Sequence, residues 1–329
     1  MKTLFWHGKQ RRIRTLWRIL FQFLLMMLSI GVLSTGVTLA YMTIQWMFGS
    51  LPAPETMPYE IVSATQSAGL NSLIGIATLV GMMFSVGVTG HFLDRRPLGD
   101  FGFHFNLGWL LDLGFGLALG AVLMMGIFAI EWAAGWITPA VGVKPDIIFA
   151  IDILAQLVLF LCVGIYEELL TRSYLLINLA EGLNFRFVGP RVALVTAWIL
   201  TSLLFGLGHA GNPNASIISN LSIALAGIFL GLGYVLTGEL SIPIGLHITW
   251  NLFQGTVFGF PVSGSGFGVS FITLQQGGPS AWTGGDFGPE AGLIGIAAMV
   301  IGSIMTLVWI KLRHKRITLQ HDLAQYTPR

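Results

Sequence analysis

The chain is divided into long apolar runs by short polar connections, and this pattern most constrains what it can fold into. A run of about 20 apolar residues crosses the hydrocarbon core as a helix, because only a helix closes its own backbone hydrogen bonds in lipid. Eight such runs lie near Ile19–Phe48, Leu70–Phe92, Leu107–Ile130, Ile147 into the 170s, Val192–His209, Ile217–Leu236, Ile242–Phe260 and Ala291–Ile310. Hydrophobic residues make up 54% of 329 positions and charged residues 10%, with a mean hydropathy of +0.77. A soluble domain is excluded on that balance. The sequence therefore predicts an all-α polytopic membrane protein of about eight helices. Residues 1–18 form a basic tail, 19–310 a single membrane domain and 311–329 a second basic tail.

Basic residues assign orientation, since Lys and Arg collect on the cytoplasmic side. Lys2, Lys9, Arg11, Arg12, Arg14 and Arg18 precede the first run; Arg95 and Arg96 follow the second; Arg172, Arg186 and Arg191 follow the fourth; Lys311, Arg313, Lys315 and Arg316 end the last. The connection 50–68 carries Glu55 and Glu60 but no Lys or Arg, the third connection carries only Lys144, and the Gly-rich stretch 261–290 carries neither basic type. Eight crossings with both termini cytoplasmic satisfy this pattern, with 261–290 outside. The first run is too long for a signal-peptide core and is read as an uncleaved helix. The one cysteine, Cys162, lies in an apolar run and is read as a packing residue. No internal repeat is visible, which weighs against a transporter built from inverted halves.

Ionisable groups inside apolar spans are costly and mark function by default. In Tyr166-Glu167-Glu168-Leu169-Leu170-Thr171-Arg172, helical spacing puts Glu168 and Arg172 on one face, i to i+4, and turns Glu167 away from the arginine. Glu167 is then the unpaired carboxylate and the candidate general base. The turn between the fourth and fifth runs centres near Val188, about 21 residues from both Glu167 and His209, so an antiparallel pair brings the two to a similar depth. Phe205, one turn before His209, is read as a packing wall. His247 and Asn251 are again i and i+4, placing an imidazole and an amide on one face, an arrangement suited to an oxyanion. Each feature alone also fits a plain structural role: a solvated helix end, a packed histidine, or polar residues bonding neighbouring helices. Together, Glu167, His209, His247 and Asn251 can deprotonate water and stabilise a tetrahedral intermediate. Glu167, His209 and His247 also match the ligand types of a catalytic zinc site, and are the candidate ligands if a divalent metal is bound.

Other membrane-protease chemistries fit less well. Ser263-Gly264-Ser265-Gly266 and Asp286 fall in the outer loop without partners, and Asp112 and Asp152 sit near span ends, where snorkelling explains them.

Taken together, EExxxR at Glu167, Glu168 and Arg172, FxxxH at Phe205 and His209, and HxxxN at His247 and Asn251 resemble the CAAX protease and bacteriocin-processing family, over roughly residues 150–255. Asp94-Arg95-Arg96-Pro97 also looks like a feature of bacterial members. The resemblance implies a helical intramembrane endopeptidase whose site opens toward the cytosol, with Glu167 and His209 moving protons and His247 and Asn251 holding the oxyanion. It implies a peptide or lipidated protein as substrate, a bacterial cytoplasmic membrane as location, and no nucleic-acid partner. A metal is a disputed property of that family.

Straight crossings would leave His209 near the outer side and His247 near the inner side. Gly206, Gly208, Gly211 and Pro213 predict a broken or re-entrant path at His209 that removes the conflict. A non-catalytic immunity or scaffold protein on the same fold and a small-molecule transporter are the competing functions.

Overall fold

The computed structural model of the chain describes residues 5–8, 10–48, 67–140 and 146–326. The expectations that rest on Lys2, Lys9, Glu55, Glu60 and Lys144 lie outside the described residues. Eight helices carry the fold: α1 Thr15–Met47, α2 Ala68–Asp94, α3 Leu107–Ala133, α4 Ile147–Leu183, α5 Gly189–Gly208, α6 Ile217–Thr237, α7 Ser241–Asn251 and α8 Leu293–His314. All but α7 are long and apolar enough to cross a membrane. The chain is a multi-pass, all-α membrane protein.

Helix starts follow local chemistry. Ser67, Asn106 and Asp146 each accept the backbone N–H three residues on, and Ser216 forms a reciprocal capping box with Ser219. These side chains satisfy donors that the first helical turn cannot.

The seventh expected span is shorter than its apolar run. α7 has 11 residues and is prolonged by a π-helical turn, Leu252–Val257. Every residue from Ser241 to Trp250 is buried. It is the central helix, packed by α3, α4 and α6. Its apolar character answers to protein neighbours rather than lipid, so membrane thickness does not set its length. Glycines permit the close crossing with α3: a Cβ at Gly116 would meet the Ile242 carbonyl, and one at Gly245 the Leu113 carbonyl. Gly164 brings α4 equally close to Ile248.

The basic tails differ from expectation. α1 begins at Thr15, preceded by a short antiparallel pairing of Trp6–His7 with Arg12–Ile13. Arg12 and Arg18 are buried. Arg18 pairs with Asp94 at 2.6 Å and with Glu181 at 3.0 Å, and Arg12 meets Glu181 at 2.6 Å. Arg96 reaches the same glutamate. Burial drives the Arg12 guanidinium down to about 10, against the pull of Glu181. The C-terminal segment folds back as well: Gln320 N–H donates to the Val235 carbonyl at 2.8 Å, and the Arg12 guanidinium lies 3.5 Å from the centre of the Tyr326 ring. Charges that would be solvated in free tails instead clamp the ends of α1, α2 and α4 together.

Asp112 is also better explained by pairing than by snorkelling. It is buried, with Arg313 Nε at 3.1 Å and the Trp309 indole N–H donating at 2.9 Å, which ties α3 to α8. A second ribbon pairs Ile137–Ala140 with Thr273–Gln276 and fastens the 261–290 loop to the end of α3.

Candidate active site

Residues Leu169–Leu175 of α4 form a π-helical turn immediately after the two glutamates. Such wide turns are rare and recur at functional sites. Arg172 lies in this turn, and its Nε is 3.1 Å from Glu168 Oε2, an ion pair whose angle falls short of a hydrogen bond. Both side chains are buried. The i, i+4 pairing expected from the sequence is present.

Glu168 has a second partner that the sequence did not reveal. His247 Nδ1 lies 2.7 Å from Glu168 Oε1. A carboxylate only accepts, so the imidazole carries its proton on Nδ1 and turns Nε2 outward. Glu167 Oε2 is 3.9 Å from that Nε2. The two adjacent glutamates thus bracket one imidazole from opposite edges. Glu168 is a positioning residue for His247, while Glu167 is partly exposed to a cavity.

Phe205 connects the remaining parts. The Arg172 guanidinium lies 3.9 Å from the centre of its ring, and the His209 and His247 rings lie 4.8 and 6.2 Å away, both edge-on. It is a packing wall, as expected, and also the shared neighbour of both histidines. His209 is the first residue beyond α5, and its Nδ1–H donates to the Phe205 carbonyl at 2.8 Å, which leaves its Nε2 bare. The chain then turns through 209–215. The irregularity expected at His209 is therefore a helix end closed by its own side chain, with no re-entrant helix. Gly206 lets α5 seat directly on α6 at the Asn220 carbonyl.

Glu167, His209, His247 and Asn251 all line one cavity of about 770 Å³. The Asn251 amide has no hydrogen-bond partner among the described residues. Ser263–Gly268, Asn212, Pro213 and Glu290 complete the far wall. The Ser-Gly segment set aside as an outer loop thus faces the candidate site. Asp286 and Asp152 are absent from the lining. Among the described residues, no group of three or more His, Cys, Asp or Glu is arranged to hold a metal ion. Glu167, His209 and His247 share a cavity without meeting the needs of a ligand set.

Glu290, just ahead of α8, is a site-wall residue that the sequence did not flag. It is buried, accepts from the Ser263 N–H and hydroxyl, and contacts the Gln254 amide. Burial pushes its carboxyl up to about 7 despite those donors. An acidic residue at the mouth of a span looks solvated until the loop above it is placed. Gln156, inside the fourth apolar run, carried a readable signal, since an amide in lipid needs partners as a charge does.

Residues 149–253 match the family described as type II CAAX prenyl endopeptidase Rce1-like. The match agrees with the resemblance of the sequence motifs to the CAAX protease and bacteriocin-processing family. The match spans the glutamate pair and both histidines, and it supports a membrane protease at the level of the family. No curated protein and no solved structure matches the chain significantly.

Glu290 gives the site wall a pH dependence. Its folded-state carboxyl keeps a proton that the unfolded chain releases above the ordinary carboxylate range, so stability falls as pH rises toward and through about 7. Melting of the detergent-solubilised protein from about pH 5 to 8 should show wild type losing ground against Glu290→Gln. A pH-independent difference would contradict burial of an ionisable group here.

Proposed function

We propose that the chain is an intramembrane endopeptidase in which Glu167 activates water for attack on a peptide bond. The observation that carries this reading is the bracketing of His247 by two glutamates, one buried and ion-paired, the other open to the cavity. In a proton-transfer role, Glu167 takes a proton from water and returns it to the leaving amine, with His209 Nε2 as a second acceptor on the same cavity. Asn251 donates from its amide to the tetrahedral oxyanion. His247 joins it when its Nε2 holds the water proton on its way from Glu167 to the leaving amine, as an imidazolium between two carboxylates. Nothing covalent forms between enzyme and substrate.

The substrate class that fits is a membrane-associated or lipidated peptide, since Glu167 and His247 lie among spanning helices. A bacterial cytoplasmic membrane with both termini cytoplasmic fits the loop charges. On that orientation the cavity-lining loops 212–213, 262–268 and Glu290 belong to the non-cytoplasmic side. We infer access from that side, opposite to what the family resemblance implies. The core of α2, α4, α5, α6 and α7 supports this, since Phe101, Tyr174, Tyr234 and Leu240, all fully buried, fill the end nearest the basic connections.

Two experiments test these readings. Replacing Glu167 by Gln should lower kcat/KM for a library peptide cleaved by the wild type about 10²- to 10⁴-fold while leaving the melting profile intact. Undiminished cleavage would contradict a glutamate base, and a wild type that cleaves no peptide would leave a scaffold or transporter as the better reading. In a Cys162→Ala background, Ser265→Cys in intact cells of a bacterial host should react with a membrane-impermeant maleimide. Labelling only after the inner face is exposed would reverse the access.

A further inference from the structure

The α2 wall of the cavity carries polar groups that the hydrolytic set does not use. Asn71, Ile74, Gly75 and Thr78 line the cavity. Their spacing, i, i+3, i+4 and i+7, is that of a single helix face. Backbone groups inside a helix are tied to one another along its axis, so this face presents side chains. At about 1.5 Å per residue, Asn71 and Thr78 are roughly 10 Å apart along α2.

The same stripe continues toward the other end of α2 as Ser85 and Thr89, and there both members are bonded to α1. Gln22 Nε2 donates to Ser85 Oγ at 3.0 Å, and Thr89 Oγ1 donates to Gln22 Oε1 at 2.6 Å. In the half that meets the cavity, neither the Asn71 amide nor the Thr78 hydroxyl has a hydrogen-bond partner among the described residues. Thr78 also forgoes the carbonyl four residues back, which Thr89, Thr237, Thr249 and Thr306 all take. A polar side chain in a span is costly, and two without partners on the one α2 face that meets the site point to a ligand. The facing wall shows what packing alone would require: Ile223, Ala226 and Leu230 of α6 also share one face, and it is wholly apolar.

The stripe leads to the general base. Gly75 seats α2 on α4, since a Cβ there would meet Leu159 Cδ1 at 2.9 Å and Cys162 Cβ at 3.7 Å. α2 and α4 are two crossings apart and run the same way. From the shared level, Thr78 is three residues further along α2 and Glu167 is five beyond Cys162 on α4, so Glu167 lies about one turn past Thr78. Asn71, Thr78 and Glu167 descend the cavity in that order.

We propose that Asn71 and Thr78 are substrate-binding residues that hold the main chain of an extended peptide on the outer side of its scissile bond and lead it down α2 to Glu167. A primary amide both donates and accepts, as a peptide unit does, and a hydroxyl does so from one atom. An extended chain advances about 3.3 Å per residue, so the two anchors meet peptide units about three residues apart. Substrate side chains then turn to the apolar α6 face. A helical segment, its backbone groups already paired, offers neither anchor a partner. This deepens the endopeptidase reading and rests on it for the position of the scissile bond; binding along α2 does not itself require cleavage.

The test uses the full-length protein in lipid nanodiscs. Asn71→Leu and Thr78→Val should each raise KM about tenfold for a peptide that the wild type cleaves, the worth of about one hydrogen bond, with kcat held within about twofold. Melting should be unchanged, because neither side chain loses a partner within the protein, and Thr78→Ser should keep the wild-type KM. A second arm needs no cleavage. In a Cys162→Ala, Glu167→Gln background, Ile74→Cys places a thiol between the two anchors. A tryptic digest of β-casein should slow its labelling by a maleimide about tenfold, and adding Thr78→Val should remove most of that protection. Such protection without any wild-type cleavage would support the anchors and contradict the hydrolytic reading. Cleavage with KM unchanged in both variants and no protection would overturn the anchors and leave hydrolysis standing. A raised KM with lowered melting and no protection would make the two residues structural and overturn the proposal. No protection and no cleavage would overturn both readings.

Discussion

The contact between His247 Nδ1 and Glu168 is the interaction on which the rest of the site depends. A buried carboxylate is costly unless paired, and Glu168 is paired twice, by Arg172 from its own helix and by His247 from the central one. Arg172 in turn is covered by the Phe205 ring, which borders both histidines. One charge-balanced cluster therefore fixes the relative position of α4, α5 and α7. The same contact settles which nitrogen of His247 faces the cavity, and so what chemistry that nitrogen can perform. The close glycine crossings of α7 with α3 and α4 make the contact reachable, because bulkier residues at Gly164 or Gly245 would hold the central helix away.

Helical irregularity falls where polar groups must be delivered into an apolar bundle. Among the described residues the π turns are Gly90–Asp94, Leu169–Leu175 and Leu252–Val257. They carry Asp94, Arg172 and Gln254, each a buried polar residue that meets a partner on another segment. A regular helix repeats its contact face every 3.6 residues, and a wide turn shifts that phase. The shift lets an apolar face toward lipid coexist with one charged group aimed inward.

The sequence made the spans, the caps and the Glu168–Arg172 pair legible, because each depends on residues within one helical turn or one apolar run. The antiparallel pairing of α4 and α5 was enough to put Glu167 and His209 at one cavity. The Glu168–His247 bond was not legible: its partners are 79 positions apart, and the spacing of HxxxN does not say which glutamate the imidazole meets. Arg12 and Arg18 resembled a solvated basic tail because positive charge before a first span is the usual orientation signal. Their burial depends on Asp94 and Glu181, which reach them only in the folded bundle. Glu290 and Ser263–Gly268 were missed for a related reason, since a Gly-rich connection carries no periodicity to show that it folds over a cavity. The seventh run had the composition of a span and the role of a core, two conditions that hydropathy does not separate.

The central claim is that Glu168 acts on the reaction through His247 rather than on its own. A double-mutant cycle on kcat/KM with Glu168→Gln and His247→Gln measures this directly, since groups acting as a unit are not additive. The expected result is that the double variant loses little more than either single variant, with folding of all three checked by their melting profiles. Losses that multiply, so that the double variant shows the product of the two single effects, would contradict the claim and leave Glu168 as a structural partner of Arg172 alone.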